Sequence, residues 1–387
     1  MNLLYITHTN CPGGATTALV SIVKGMINKG HNVYVVVNKH DGPLVSMLEE
    51  TDATILRAPL SETIYEKKTH PLKWVKRMLF RIYGWKKSSV IIREYIKEYN
   101  IDIVHTNVGP LNIALRQCQY VGIPHVWHHR EFFDKCDGVP FFPNNNRFYE
   151  IIKERGNYNI CITKQIRDYL NLDQKTPVIY DGVFLKSELE KDKLTIKDNY
   201  ILFVGRFEYN KGIDSLISVW GDFHKKHPDF KLRIAGAVNP DSSCYKECVS
   251  LIEKYRIGDS VELLGHRTDV YSLMASARAL VVTSYFEGFG FITVEGMLNK
   301  TLTICRDTTG SKEQLDNGLL WTGGEIGLRF NNESELLDCL NKAVEYDFSD
   351  YIDRAYSAIS NYTIEENVNQ IESYYKRILR DYYRRTS

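Results

Sequence analysis

Ala279-Leu280-Val281-Val282-Thr283 runs straight into Ser284-Tyr285-Phe286-Glu287-Gly288-Phe289-Gly290, and then into Phe291-Ile292-Thr293-Val294-Glu295. The first five residues form a short apolar, β-branched run, which predicts a buried strand, and the residues after Gly290 take up a helical pattern. A loop between a strand and the helix that follows lies at the carboxyl end of the strand. In open α/β sheets ligands bind there, and backbone N–H groups at the helix start favour an anion such as a diphosphate. Gly288 and Gly290 permit close backbone approach, and Glu295 falls on the first helical turns, where its carboxylate can accept hydrogen bonds from sugar hydroxyls. The spacing of Glu287 and Glu295 carries little by itself, because Glu325 and Glu333 repeat it without a preceding strand or a Gly-rich loop. The pair can also be read as two carboxylates favoured by a helix start.

Outward from this stretch the same strand, loop and helix pattern recurs. Before it come the runs Tyr200 to Gly205, Lys231 to Ala235 and Val261 to Leu264, and after it Leu302 to Cys305. The first of these leads into Val204-Gly205-Arg206-Phe207-Glu208-Tyr209-Asn210-Lys211-Gly212. Arg206 offers a fork to phosphate and Lys211 a point charge, although both can equally be exposed turn cations. Earlier still, Leu3 to Thr7, a loop with Pro12-Gly13-Gly14, a helical stretch Ala15 to Asn28 and the run Asn32 to Val37 make a βαβ unit. Looser repeats follow at Ile101 to His105, Ile123 to His128, Tyr158 to Thr163 and Pro177 to Tyr180. The polar interval Lys186 to Lys197 separates two α/β series, and a long helix is predicted from Thr363 to Arg385. The chain thus reads as domains 1–182 and 183–362 with a C-terminal helix at 363–387, packing back towards the first domain.

The 387 residues suit two domains better than one core. A balance of 49 basic and 48 acidic residues removes any whole-chain electrostatic argument for nucleic acid. Eight cysteines at 11, 118, 136, 161, 244, 248, 305 and 339 form no Cys-x-x-Cys pair and read as reduced, packed thiols. The opening residues lack the basic leader of a signal peptide, and no apolar run is long enough to span a bilayer. These features predict a cytoplasmic protein. One local exception to charge balance exists: Lys67 to Arg93 holds nine basic residues and no acid, interleaved with Trp74, Met78, Leu79, Phe80, Ile82, Tyr83 and Trp85. Such a stretch suits an anionic membrane surface, with Lys73, Trp74, Lys76, Arg77 and Trp85 as candidate contacts, or alternatively an ordinary helix with a solvated face. No Gly-x-Gly-x-x-Gly follows the first strand, which argues against a dinucleotide oxidoreductase.

Taken in order, Gly13-Gly14, Gly30-His31-Asn32-Val33, Val178 to Val183, Gly205-Arg206 with Lys211-Gly212, and Glu287 with Glu295 resemble glycosyltransferase family 4 over nearly the whole chain. The resemblance implies the GT-B fold, two Rossmann-like parallel-sheet domains facing across a cleft, and retaining transfer of a sugar from a nucleotide diphosphate. The implied acceptor is a glycan or a lipid-linked glycan, as in surface polysaccharide or glycoconjugate synthesis at the inner face of the cell membrane. By the same resemblance Arg206 and Lys211 would hold the donor phosphates and Glu295 the ribose. Glu287 would meet the transferred sugar, Gly288, Phe289 and Gly290 would line it, and Gly13 and Gly14 would approach from the other domain. Many members carry a His after the strand near Pro124; here the run is His128-His129-Arg130-Glu131, leaving His129, Arg130 and Glu131 as catalytic candidates and His128 as a possible substitute. No Asp-x-Asp triplet occurs, so no metal or other cofactor is expected. A nucleotide-sugar epimerase of the same fold and a catalytically silent partner-binding subunit are the alternatives.

Overall fold

The computed structural model describes residues 1–7, 13–60, 71–109, 111–132, 144–189 and 196–384, with backbone alone for 71–73. Pro12, Lys67, Lys68, Cys11, Cys136, Arg385, residues 190–195 of the polar interval and the side chain of Lys73 lie outside the described residues. The chain divides into two units, Met1–Gly182 with Ile364–Ser387, and Val183–Thr363.

The first unit is built on strands β1 (Asn2–Ile6), β2 (Asn32–Val37), β3 (Thr54–Arg57), β4 (Ile103–Thr106), β5 (His125–His129) and β6 (Asn157–Cys161), in the order β3-β2-β1-β4-β5-β6. All of these pairs are parallel. Helices α1 (Gly14–Asn28), α2 (Pro43–Glu49), α3 (Pro71–Glu98), α4 (Ile113–Val121), α5 (Asn145–Ile151) and α6 (Lys164–Tyr169) make the connections. Because side chains alternate along a strand, Leu3 and Tyr5 enter one core with Leu19, Val23 and Met26 of α1, while Leu4 and Ile6 enter another with Ile92, Ile96 and Ile113. A sheet covered on both faces needs such near-continuous apolar strands.

The second unit repeats the plan with β7 (Tyr200–Val204), β8 (Lys231–Ala235), β9 (Val261–Gly265), β10 (Ala279–Val282), β11 (Leu302–Arg306) and β12 (Leu328–Phe330), ordered β12-β11-β10-β7-β8-β9. Its helices are α7 (Ile213–Lys226), α8 (Ser243–Tyr255), α9 (Val270–Ser276), α10 (Phe291–Leu298), α11 (Thr309–Thr322), α12 (Glu333–Glu345) and α13 (Ser349–Ala358). Cys118, Cys161, Cys244, Cys248, Cys305 and Cys339 are all buried. Pro177 to Tyr180, expected as a full strand, contributes a single bridge, Cys161 with Val178. Pro177 has no N–H to donate, and the segment makes two ladder bonds, Cys161 N–H to the Pro177 carbonyl at 3.1 Å and Ile179 N–H to the Cys161 carbonyl at 2.9 Å. Among the described residues, no helix is long and apolar enough to cross a membrane.

The last helix, α14 (Ile364–Arg384), belongs to the core of the first unit, where Val368, Ile371, Tyr375 and Ile378 join Leu3 and Tyr5. Polar contacts fasten it. Tyr375 Oη shares a 2.5 Å hydrogen bond with His105 Nδ1, Asn367 Nδ2 donates to the Tyr180 carbonyl at 2.6 Å, and Glu372 receives Lys29 at 3.1 Å and His31 at 3.0 Å. Hydrogen bonding from Lys376, with Lys29 and His31, holds the Glu372 carboxyl down at about 2, against the desolvation that opposes it. A carboxyl depressed in the folded state adds stability that is present above its unfolded value near 4.5 and lost as pH falls towards 2. Glu372→Gln should therefore lower the midpoint of thermal unfolding at pH 7, and the gap from wild type should shrink as pH is lowered through that window; a gap independent of pH would contradict the assignment.

Candidate functional site

In the second unit the chain starts at β7, builds outward through β8 and β9, and then crosses back to place β10 on the other side of β7. The strand order therefore reverses between β7 and β10, and the loops at their carboxyl ends diverge above that pair. This is where an open parallel sheet offers a ligand crevice. Lys211 follows β7 and Glu287 follows β10, and Lys211 Nζ donates to Glu287 Oε1 at 2.6 Å, both side chains being partly buried.

The two loops are locked to one another below that ion pair. Gly212 caps α7 with φ of 63°, and a Cβ there would stand 2.4 Å from the Thr283 carbonyl oxygen. Both the left-handed backbone and the close approach require glycine. Thr283 Oγ1 donates to the Lys211 carbonyl at 2.6 Å and Tyr285 N–H to the Asn210 carbonyl at 2.8 Å. Arg306, buried at the end of β11, donates to the Thr283 carbonyl at 2.9 Å and lies 4.2 Å from the centre of the Tyr285 ring. Lys211 is thus presented on a rigid base.

The Gly288-Phe289-Gly290 turn is supported from α11. Glu287 N–H donates to Thr309 Oγ1 at 2.9 Å, Gly310 N–H to the Glu287 carbonyl at 3.0 Å, and Gln314 Nε2 to the Phe289 carbonyl at 2.6 Å. Phe289 is buried edge-on against Phe291 and Tyr362. Gly290, at φ of 89°, caps α10, whose first turn carries no acid, so the positive end of the helix is left for an anion. Arg206 is 70% exposed and pairs with Glu208 at 3.1 Å, a contact that an arriving phosphate can displace. Glu295, on the second turn of α10, is different in kind. Desolvation raises its carboxyl to about 7, and among the described residues no side chain pairs with it. A half-buried carboxylate without a partner is costly unless a ligand supplies hydroxyl donors. The other Glu pair at the same spacing is surface chemistry: Glu325 meets Arg329 at 3.2 Å, and Glu333 is exposed and receives the Ser218 hydroxyl at 3.1 Å.

In the first unit the candidates separate. Gly13 and Gly14 are exposed at the start of α1, and a Cβ on Gly13 would meet no atom of the described residues within 4 Å. Arg130 is in the interior. Its guanidinium is bound twice by Asp181 at 2.5 Å and its Nε donates to the Asn107 carbonyl at 3.1 Å. Burial raises the Asp181 carboxyl while Arg130 opposes that rise. His129 is buried, stacked on Trp127 with Nε2 bonded to Asn159 at 2.8 Å, and desolvation lowers it to about 4. Glu131 is half-buried beyond the strand end. His128 shares a 3.2 Å hydrogen bond with His105 through Nδ1, and its Nε2 is buried with no partner among the described residues; burial, then Arg130, lower its pKa and favour the neutral ring. The two rings at the end of β5 are alike in this respect, since His129 Nδ1 is also buried with no hydrogen-bond partner among the described residues. On α3, Lys76 and Arg77 are exposed, Trp74 is half-buried, and Trp85 is turned inward with Nε1 donating to Asn112 at 3.2 Å.

Two family profiles match adjoining parts of the chain, "Glycosyltransferase Family 4" over residues 12–186 and "Glycosyl transferases group 1" over residues 186–345. Over 94% of its length the chain is 25% identical to the phosphatidylinositol N-acetylglucosaminyltransferase gpi3 subunit of Schizosaccharomyces pombe, covering 75% of that protein. It is 22% identical, over 88% of its length and 85% of the relative's, to a Campylobacter jejuni alpha-1,4-N-acetyl-D-galactosaminyltransferase named for an acceptor on diphospho-undecaprenol. Among solved structures, Anabaena HepE in complex with UDP superposes with a TM-score of 0.76 at 18% identity, covering 97% of this chain and 100% of HepE. Two six-stranded parallel sheets, two abutting family matches and this likeness in fold agree: the chain belongs to the glycosyltransferases of family 4 and group 1, with the GT-B fold.

Proposed function

We propose that this glycosyltransferase moves a sugar from a nucleotide diphosphate to a glycan or lipid-linked acceptor, with retention at the anomeric carbon, in surface polysaccharide or glycoconjugate synthesis. The observation that carries the reading is the Lys211–Glu287 pair at the strand-order reversal, flanked by Arg206, the start of α10 and the unpartnered Glu295. In this reading Arg206 and Lys211 neutralise the departing diphosphate without a metal ion, and the Gly288 to Gly290 backbone lines the donor. Glu295 accepts the ribose hydroxyls. Glu287, released from Lys211 as that cation turns to phosphate, accepts hydroxyls of the transferred sugar. Rate enhancement then comes from positioning and from charge placed where the leaving group develops it. The donor class is supported by the HepE complexes with UDP and with UDP-glucose. A lipid-borne acceptor is supported by the names of the yeast and Campylobacter relatives.

A thermal-shift panel of nucleotide diphosphates and nucleotide sugars identifies the donor, because a ligand that binds the folded state raises its midpoint. With that donor, Glu287→Ala should reduce transfer by about a hundred-fold or more. Chelation by EDTA should leave the wild-type rate within two-fold. Transfer that survives Glu287→Ala, or that stops on chelation, would sink the assignment, and the linkage formed, read by NMR, decides retention.

Glu295 makes a second, opposite demand. Its carboxyl is raised from 4.5 to about 7, so the folded protein favours the protonated form and loses stability as pH climbs through that window. Glu295→Gln should then be more stable than wild type at pH 8, by ~3 kcal/mol, with the difference gone by pH 4. The same variant should bind the nucleotide diphosphate at least ten-fold more weakly at pH 8 by calorimetry. A variant less stable at pH 8, or one that binds normally, would refute the ribose role.

A further inference from the structure

The helix α3 presents two faces. One is packed: Met78, Ser88, Ser89, Ile92 and Ile96 are buried, and Ser88 Oγ donates to the Pro59 carbonyl at 2.6 Å. The other is apolar and open to water. Leu79 is 64% exposed, Phe80 77% and Tyr83 64%, with Val75, Ile82 and Val90 also exposed. At 100° per residue, Val75, Leu79, Tyr83, Lys86 and Val90 fall within an arc of about 80°, and Lys76 and Lys87 border it. Exposed apolar side chains gathered on one face mark an interaction surface.

We propose that this face seats the first unit on an anionic lipid surface, with Leu79, Phe80 and Tyr83 entering the headgroup layer and Lys76, Lys86 and Lys87 pairing with lipid phosphates. Charge selects that partner: Lys76, Lys86 and Lys87 lie on or beside the face and no acid occurs from Trp74 to Arg93, while the chain as a whole carries +1. A second copy of the chain would set two cationic faces against each other. Nucleic acid gains nothing from Val75, Leu79 and Val90, whereas a bilayer rewards aliphatic and aromatic groups and cations together. The structure also changes the residue set. Trp85 is committed to Asn112, and the exposed apolar residues lie one helix face away from it. The proposal deepens the reading of a lipid-linked acceptor by naming the surface that would bring the enzyme to it.

The test is flotation of the full chain with vesicles of phosphatidylcholine alone and of phosphatidylcholine with phosphatidylglycerol. Binding to the anionic vesicles alone, weakened by salt, is expected. Lys86→Ala with Lys87→Ala should weaken it about five-fold per lysine. Leu79→Ser with Phe80→Ser and Tyr83→Ser should weaken it at least ten-fold at an unchanged melting temperature. No flotation, or variants that float as wild type does, would overturn the proposal. So would a wild-type dimer that the serine variant dissociates, or duplex DNA that displaces the vesicles. Nucleotide-induced thermal shift, measured on every variant, keeps this test apart from the donor reading: its retention in a non-floating variant supports the lipid face, and flotation without any nucleotide response would refute the donor site alone.

Discussion

The reversal of strand order between β7 and β10 is the constraint on which the donor-side geometry depends. Parallel strands all enter from the same edge, so every loop that could carry chemistry is delivered to the other edge. Only where the order reverses do two such loops part. There the backbone must bring residues more than seventy positions apart into hydrogen-bond range, as Lys211 and Glu287 are. Gly212 against the Thr283 carbonyl shows how little slack is left.

The first unit obeys the same rule and uses it differently. Its order reverses between β1 and β4, and Asn107, just beyond β4, closes the space with bonds to the Ile6 and Ala15 carbonyls at 3.0 and 3.2 Å. Behind it sits a polar interior of Arg130, Asp181, His105, His128 and Tyr375. Breaking a buried pair such as Arg130 with Asp181 costs about 3–5 kcal/mol, which is why such residues read as fixtures of the fold. One unit surrounds its charges with protein, and the other leaves a carboxylate, a lysine and an arginine within reach of solvent.

Much of this was legible in the chain. Ala279 to Thr283 and Asn32 to Val37 are apolar runs of strand length, Lys231 to Ala235 alternates with the period of a strand, and the loops after β7 and β10 carry glycines where positive φ or close approach demands them. Short edge strands were not legible: Thr54 to Arg57 buries one residue in four, and Leu328 to Phe330 is too brief to show a period. Nor could spacing say that His129 points into a packed layer and Trp85 into the unit's own interior, because β5 is buried on both faces and α3 carries apolar residues nearly all round. The raised carboxyl of Glu295 is a product of tertiary burial and has no local signature.

The placement of α14 has a consequence for how the chain comes off the ribosome. The second unit is one continuous stretch, but the first needs residues 364–384 to complete the layer that holds Leu3 and Tyr5. Synthesis proceeds from the N-terminus and domains fold as units when their residues are available. The part made first must therefore wait for the part made last, with the apolar face of β1 and α1 uncovered while some 180 residues between are translated and folded. During that interval the uncovered face is open to non-native association, and the order in which the units mature is the reverse of the order in which they begin.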